Sequence, residues 1–287
     1  MRPGIVFTFL RYEIKRSVAR RKIIALGFFT LLIGTAPYFL LSFFGGGHSV
    51  LMTILRPYFG YLWVVGVFLP QSFFVPFTAI LISGGAMSEE YEAGTAELLL
   101  SKPVTKSEYF LGKFLGGYLL IIFIIGLNMA LSVVSATATF GPQLELNTLP
   151  LVFVAQIFSA LLFFGVGFMF GEVVRRSSLS YIISSALFFT SEIFSISLTL
   201  IYSLSPLDFY RQIQLLLPTS PMASLGLLVE QPYLPARVNQ LLTFASFGGA
   251  VETSLSFSIA LILVYFLSVF VISFVYFEQA DVSRKVS

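Results

Sequence analysis

The stretch Met87-Ser-Glu-Glu-Tyr-Glu-Ala-Gly-Thr-Ala-Glu-Leu-Leu-Leu-Ser-Lys-Pro-Val-Thr-Lys-Ser-Glu-Tyr-Phe-Leu-Gly-Lys113 leaves one long apolar run and enters another. Its order is not that of a random polar connection. Glu89, Glu90, Glu92 and Glu97 come before the triplet Leu98, Leu99 and Leu100. Pro103 then stops any helix that came before, because its ring removes a backbone donor and clashes with the preceding turn. Directly afterwards Thr105-Lys-Ser-Glu108 has the capping-box spacing, in which Thr105 accepts from an orphan N–H and Glu108 reaches back to the cap. The pattern predicts a short helix along a membrane surface around residues 91–101. Fixed between a proline stop and a capped start, it is suited to passing on a push or a pull. A plain solvated connector is the alternative, and three consecutive leucines facing water argue against it.

The flanking apolar runs set the fold class. The chain has 287 residues, 57% hydrophobic and 11% charged, with a mean hydropathy of +0.91; soluble domains carry about 25% charge, so an ordinary water-soluble protein is excluded. A bilayer core about 30 Å thick is crossed by about 20 apolar helical residues, because every backbone polar group must be satisfied within the segment. Six runs qualify: 23–44, 60–87, 110–137, 150–171, 179–204 and 255–277. The reading is an all-α polytopic membrane protein, a single membrane domain over 1–287. Pro70 and Pro76 should kink the second span without dividing it. A cleaved signal peptide is a rival reading of the N-terminus, but the apolar run exceeds the roughly 7 to 15 residues of such a segment.

Charge placement sets the direction. Of the 17 lysines and arginines, all but Arg56, Arg211 and Arg237 fall on one side of the spans. Positively charged loops stay inside, so both termini and residues 88–109 are expected in the cytoplasm of a cell-membrane protein, and 205–254 outside. In residues 1–22, Phe7, Leu10, Ile14 and Val18 share one helical stripe, while Arg11, Lys15, Arg16 and Arg20 occupy much of the rest. This is an amphipathic interfacial helix facing anionic membrane lipid, or a plain basic anchor; the two are compatible. In the outer segment, Pro206, Pro218, Pro221, Pro232 and Pro235 punctuate apolar runs such as Leu215-Leu-Leu217. Short interfacial or re-entrant helices fit there. A seventh, broken span is the alternative, and it would move the charged C-terminal tail outside.

The chemistry available is limited. There is no cysteine and one histidine, His48, read as a loop residue. No metal centre, thiol chemistry or catalytic residue is expected. The charge balance of +3 is too mild for nucleic-acid binding. Glu192 is the one ionisable group near a span centre, and the fifth span around it is rich in hydroxyls, including Ser191 and Ser195. Charges at membrane depth are costly and mark function, so Glu192, Ser191 and Ser195 are candidate substrate-path residues; a packing or dimer seam is the competing reading. Gln71, Asn128 and Gln156 read as interhelical hydrogen-bond formers. Glu172, Arg175 and Arg176 read as a solvated turn, or as a second, weaker partner contact.

The central stretch resembles the signature of ABC-2-type ATP-binding-cassette transporter permeases at Glu89, Glu92, Gly94, Thr95, Glu97, Leu98, Leu99, Pro103, Val104, Gly112 and Lys113. The six-span layout, the N-terminal helix and Leu204-Ser-Pro-Leu-Asp-Phe-Tyr210 extend the resemblance over most of the chain. It implies a permease subunit, pairing with a second copy or a paralogue and exporting its cargo. Two separate ATPase subunits would hold ATP and Mg and dock on a coupling helix formed by Glu89, Glu90, Glu92, Gly94, Thr95, Glu97, Leu98, Leu99 and Pro103. No cofactor is expected in this chain, since Gly112-Lys113 continues as Phe114 and lacks the upstream glycine of a phosphate loop. A non-transporting membrane scaffold that keeps the docking segment is the alternative.

Overall fold

A computed structural model describes residues 2–19, 21–44, 55–245 and 253–279. His48, Arg20, Arg284 and Lys285 lie outside them. Among the described residues every regular element is helical. The chain runs through α1 (Pro3–Ala19), α2 (Lys22–Phe44), α3 (Trp63–Glu92), α4 (Thr95–Leu100), α5 (Lys106–Phe140), α6 (Leu149–Val174), α7 (Ser177–Leu204), α8 (Asp208–Leu215), α9 (Thr219–Glu230), α10 (Ala236–Ala245) and α11 (Leu255–Gln279). Six of these, α2, α3, α5, α6, α7 and α11, are long and apolar enough to cross a membrane, matching the six expected runs. The second expected span does not end near Met87. It runs unbroken past Pro70 and Pro76 to Glu92, so Glu89, Glu90 and Glu92 form the last turns of α3 rather than a separate surface helix.

Between membrane helices apolar burial gives little drive, so association depends on close packing and on hydrogen bonds. α3 and α6 form the enclosed centre. Their crossing is made by Gly167-Phe-Met-Phe-Gly171: a Cβ on Gly171 would lie 2.6 Å from the Gly84 carbonyl oxygen, and one on Gly167 would collide with the Ser83 hydroxyl. Around this seam Gln71 donates to the Met222 carbonyl at 2.9 Å, Asn128 to Gly66 at 3.1 Å and Gln156 to Val67 at 3.1 Å, all between helices as expected. Aromatic edges attach the peripheral α11. Phe114 of α5 meets Phe164 of α6 at 5.0 Å and Phe270 of α11 at 5.1 Å, and Phe110 meets Phe168 at 5.1 Å and Phe274 at 5.3 Å, each close to perpendicular.

At the end of the bundle opposite α4, α8 and α9 are bent by 90° about a short break. α7 begins beside the end of α3, where Glu92 accepts from the Ser177 N–H at 2.8 Å, and therefore finishes at the opposite end. α11 finishes beside the start of α5, where Lys106 Nζ donates to the Glu278 carbonyl at 2.9 Å, and therefore starts at that same opposite end. The chain between them enters and leaves on one side. The bent pair is a re-entrant loop, not a seventh span.

Gly171→Val should force α3 and α6 apart at their backbone contact. Overpacking of this kind costs about 1–3 kcal/mol, and the detergent-solubilised variant is expected to unfold at a lower temperature than the parent in a thermal-aggregation assay.

Candidate functional site

The α4 end is assembled from α1 inward. Gly112 and Gly116 of α5 let α1 approach at backbone distance: a Cβ on Gly112 would lie 2.5 Å from Phe9 Cβ, and one on Gly116 2.7 Å from Glu13 Cβ and 3.1 Å from the Leu10 carbonyl. This approach presses Glu13 and Arg16 against Lys113, which is fully buried. A buried ammonium is tolerated only when paired and hydrogen-bonded. Here it donates to Glu13 Oε2 at 2.6 Å and to Glu90 Oε1, and it lies 4.7 Å from the Tyr12 ring centroid. Arg16 closes the circuit, reaching Glu13 at 2.7 Å, Glu90 at 3.1 Å and the Ala86 carbonyl at 3.1 Å. Burial works against the Arg16 charge, and the carboxylates of Glu13, Glu90 and Glu89 outweigh it, so its pKa is raised. The Tyr109 hydroxyl donates to the second Glu90 oxygen.

Half-buried Glu89 and exposed Glu92 are both tied to α7. Glu89 accepts from the Tyr181 hydroxyl of α7 at 2.8 Å and lies 3.9 Å from Arg16. Glu92 accepts from the Ser177 N–H and, at 2.7 Å, from the Ser177 hydroxyl. The turn between α6 and α7 is not an ordinary solvated one. Glu172 is buried and accepts from the Tyr91 hydroxyl at 2.8 Å, while Arg175 sits 4.7 Å from the Tyr91 ring centroid.

Gly94, with φ of +67°, makes the left-handed turn from α3 into α4, and Thr95 donates to the Glu90 carbonyl at 3.4 Å. On α4, Ala96 is buried and Leu99 and Leu100 pack on the core, whereas Leu98 is 69% exposed and Glu97 also faces outward. The capping box at Thr105 and Glu108 is present. Arg2 reinforces it, donating from its backbone to Glu108 at 2.6 Å and from its guanidinium to Glu108 at 3.1 Å and to the Pro103 carbonyl at 2.6 Å.

The described residues place the other candidates apart from this end. Glu192 is buried midway along α7, where the Thr219 hydroxyl of α9 reaches its carboxyl and its Oε1 has no partner among the described residues. The Ser191 and Thr219 hydroxyls are 3.0 Å apart, and Gln214 of α8 donates to Ser195 Oγ at 3.1 Å and to Thr199 at 2.7 Å. All three path candidates thus face the re-entrant loop.

A comparison with known families matches residues 8–282 to the ABC-2 family transporter protein. The chain belongs to this family. No curated protein matches it. ABC-2 permeases are membrane transport components without ATPase activity of their own, and they generally work with ABC ATPase subunits. In this ABC-2 transporter protein the sequence stretch and the structure meet at Gly112 and Lys113: the glycine admits α1, and the lysine balances two carboxylates. Arg2, Glu13, Arg16 and Tyr181 were absent from the sequence-derived site, and Tyr91 entered it only as the first residue of the expected helix. In α1 the buried positions are Phe9, Glu13 and Ser17, at i, i+4 and i+8, and not the apolar stripe of Phe7, Leu10, Ile14 and Val18, of which Phe7 and Val18 are exposed.

Lys113→Met leaves Glu13 and Glu90 buried with one cation between them. Breaking a buried ionic network costs about 3–5 kcal/mol. A large fall in thermal midpoint is expected for the detergent-solubilised protein, and adding Glu90→Gln should cost less than the sum of the two single changes because the remaining Glu13–Arg16 pair is neutral.

Proposed function

We propose that this chain is the membrane-spanning permease subunit of an ABC exporter, with both termini in the cytoplasm of the cell membrane and α1 lying in the headgroup boundary. It works beside a second permease, a copy or a paralogue. α4 is the coupling helix, on which two ATPase subunits holding ATP and Mg dock. The observation that carries this reading is the outward Leu98 on a short helix whose two flanks are clamped. An exposed leucine on such a mount is suited to a partner's pocket, and the clamps pass displacement of α4 into α3 and α5. The concentration of lysine and arginine toward the α4 end supports the orientation.

The residues that meet the ATPases are narrower than the acidic stretch suggested. Glu97, Leu98 and the segment through Pro103 form the docking face, with Leu99 supporting it from behind. Glu89, Glu90 and Glu92 act behind that face, fixing α3 to α1, α5 and α7. Gly94 and Thr95 set the angle at which α4 leaves α3. Glu192, Ser191 and Ser195 belong to the substrate path, where a carboxyl with an unsatisfied oxygen meets hydroxyls at the root of the re-entrant loop. Relative movement of α7 and the loop would open that region.

Leu98→Asp should leave the thermal midpoint unchanged and weaken ATPase co-purification tenfold or more, the size of a central-anchor loss of about 2 kcal/mol. Undiminished co-purification would move docking off α4. Glu192→Leu should keep assembly and ATPase binding but change cargo flux in proteoliposomes; unaltered flux would return Glu192 to a packing role. ATPase capture without any cargo-dependent turnover would favour the scaffold.

A further inference from the structure

Outside the clamps, the α1–α5 contact leaves an apolar groove of about 400 Å³, lined by Pro3, Val6, Phe7, Leu10 and Leu115. That volume lies within the range of about 300–1,000 Å³ typical of ligand pockets. Phe7 is 64% exposed and Leu115 41% exposed, so the groove opens to the surroundings of the bundle. Arg11 follows one helical turn after Phe7, and Lys15 one turn after Arg11; both are exposed, and neither has a carboxylate partner among the described residues. The neighbouring Arg2 and Arg16 differ, being engaged by Glu108 and by Glu13 with Glu90. An apolar slot with two exposed, uncommitted cations farther along the same helix is complementary to a molecule with a hydrocarbon chain and an anionic head.

We propose that this groove is a binding site for one anionic glycerophospholipid of the adjacent leaflet, with an acyl chain against Phe7, Leu10 and Leu115 and its phosphate held by Arg11 and Lys15. The inference rests on α1 lying in the headgroup boundary, and on no feature of ATPase docking. The groove borders the joint described above: Val6 contributes its carbonyl to the close approach at Gly112, and Pro3 follows the Arg2 clamp. A seated chain therefore fills the open side of the α1–α5 contact, and binding stabilises the folded chain by mass action.

The test is native mass spectrometry of the full-length protein in detergent, titrated with phosphatidylglycerol or with phosphatidylcholine of the same acyl composition. One phosphatidylglycerol should be retained in preference to phosphatidylcholine and should raise the thermal midpoint. Leu115→Trp, which fills the groove at an exposed position and leaves both cations, should abolish that adduct. Arg11→Gln and Lys15→Gln should each lower the preference about fivefold, the size expected for one cation at an anionic surface. Equal retention of the two lipids, or phosphatidylglycerol binding unchanged in Leu115→Trp, would overturn the site; a preference that survives the loss of both cations would overturn the headgroup assignment. Retained ATPase co-purification in Leu115→Trp separates failure here from failure of the docking assignment, which Leu98→Asp reads.

Discussion

Charge that is taken out of water must be balanced on the spot, and at the α4 end Lys113, Glu90, Glu13 and Arg16 balance one another on three helices. α3 brings a carboxylate, α5 an ammonium, and α1 one charge of each sign. The attraction is strong in a low-dielectric site, but the greater constraint is the penalty for separating the members, since any one removed strands the others without solvent. The joint thus fixes the identity of its neighbours as well as their distance. It requires glycine at positions 112 and 116, because a side chain there would hold Glu13 away from Lys113.

From this joint the ties spread outward and make the end of the bundle a single body. Glu92 and Glu89 tie α3 to α7, Tyr91 ties it to α6, and Lys106 and Ser107 tie α5 to the last turn of α11. α4 sits between two of these anchored ends. The opposite end is held differently. Its contacts among Ser191, Thr219, Ser195, Gln214 and Thr199 are neutral hydrogen bonds, and such bonds between membrane helices average about 0.6 kcal/mol. The hydrogen bonds that hold the re-entrant loop against α7 are thus weaker ties than the buried ionic contacts at the α4 end.

The six spans were legible because a bilayer imposes a length and a composition that few soluble sequences mimic, and the Thr105–Glu108 cap was legible because its chemistry is local. The re-entrant loop was legible as an option, its prolines giving the breaks; the positions of the α7 and α11 ends decide it. What the sequence concealed was direction of facing. Glu90 and Glu97 look alike in a one-dimensional reading, yet one is fully buried and the other exposed, because α3 continues through Glu92 before the Gly94 turn reverses the surface that each residue presents. The partners of Glu90 lie 74 and 23 residues away, at Arg16 and Lys113, and no local pattern announces a pairing of that range. Glu172 was misjudged for the same reason: its partner, Tyr91, is 81 residues away.

The separation between Glu13 and Lys113, 100 residues along the chain, also bears on biogenesis. A ribosome delivers Glu13 and Arg16 long before the groups that neutralise them, so the amino-terminal helix cannot take its final seat while the second and third spans are still being made. It stays without its ionic partner until Lys113 has been made and brought alongside. The helix Pro3–Ala19 is in this way locked only once the third span has been made, ahead of the three spans that follow it.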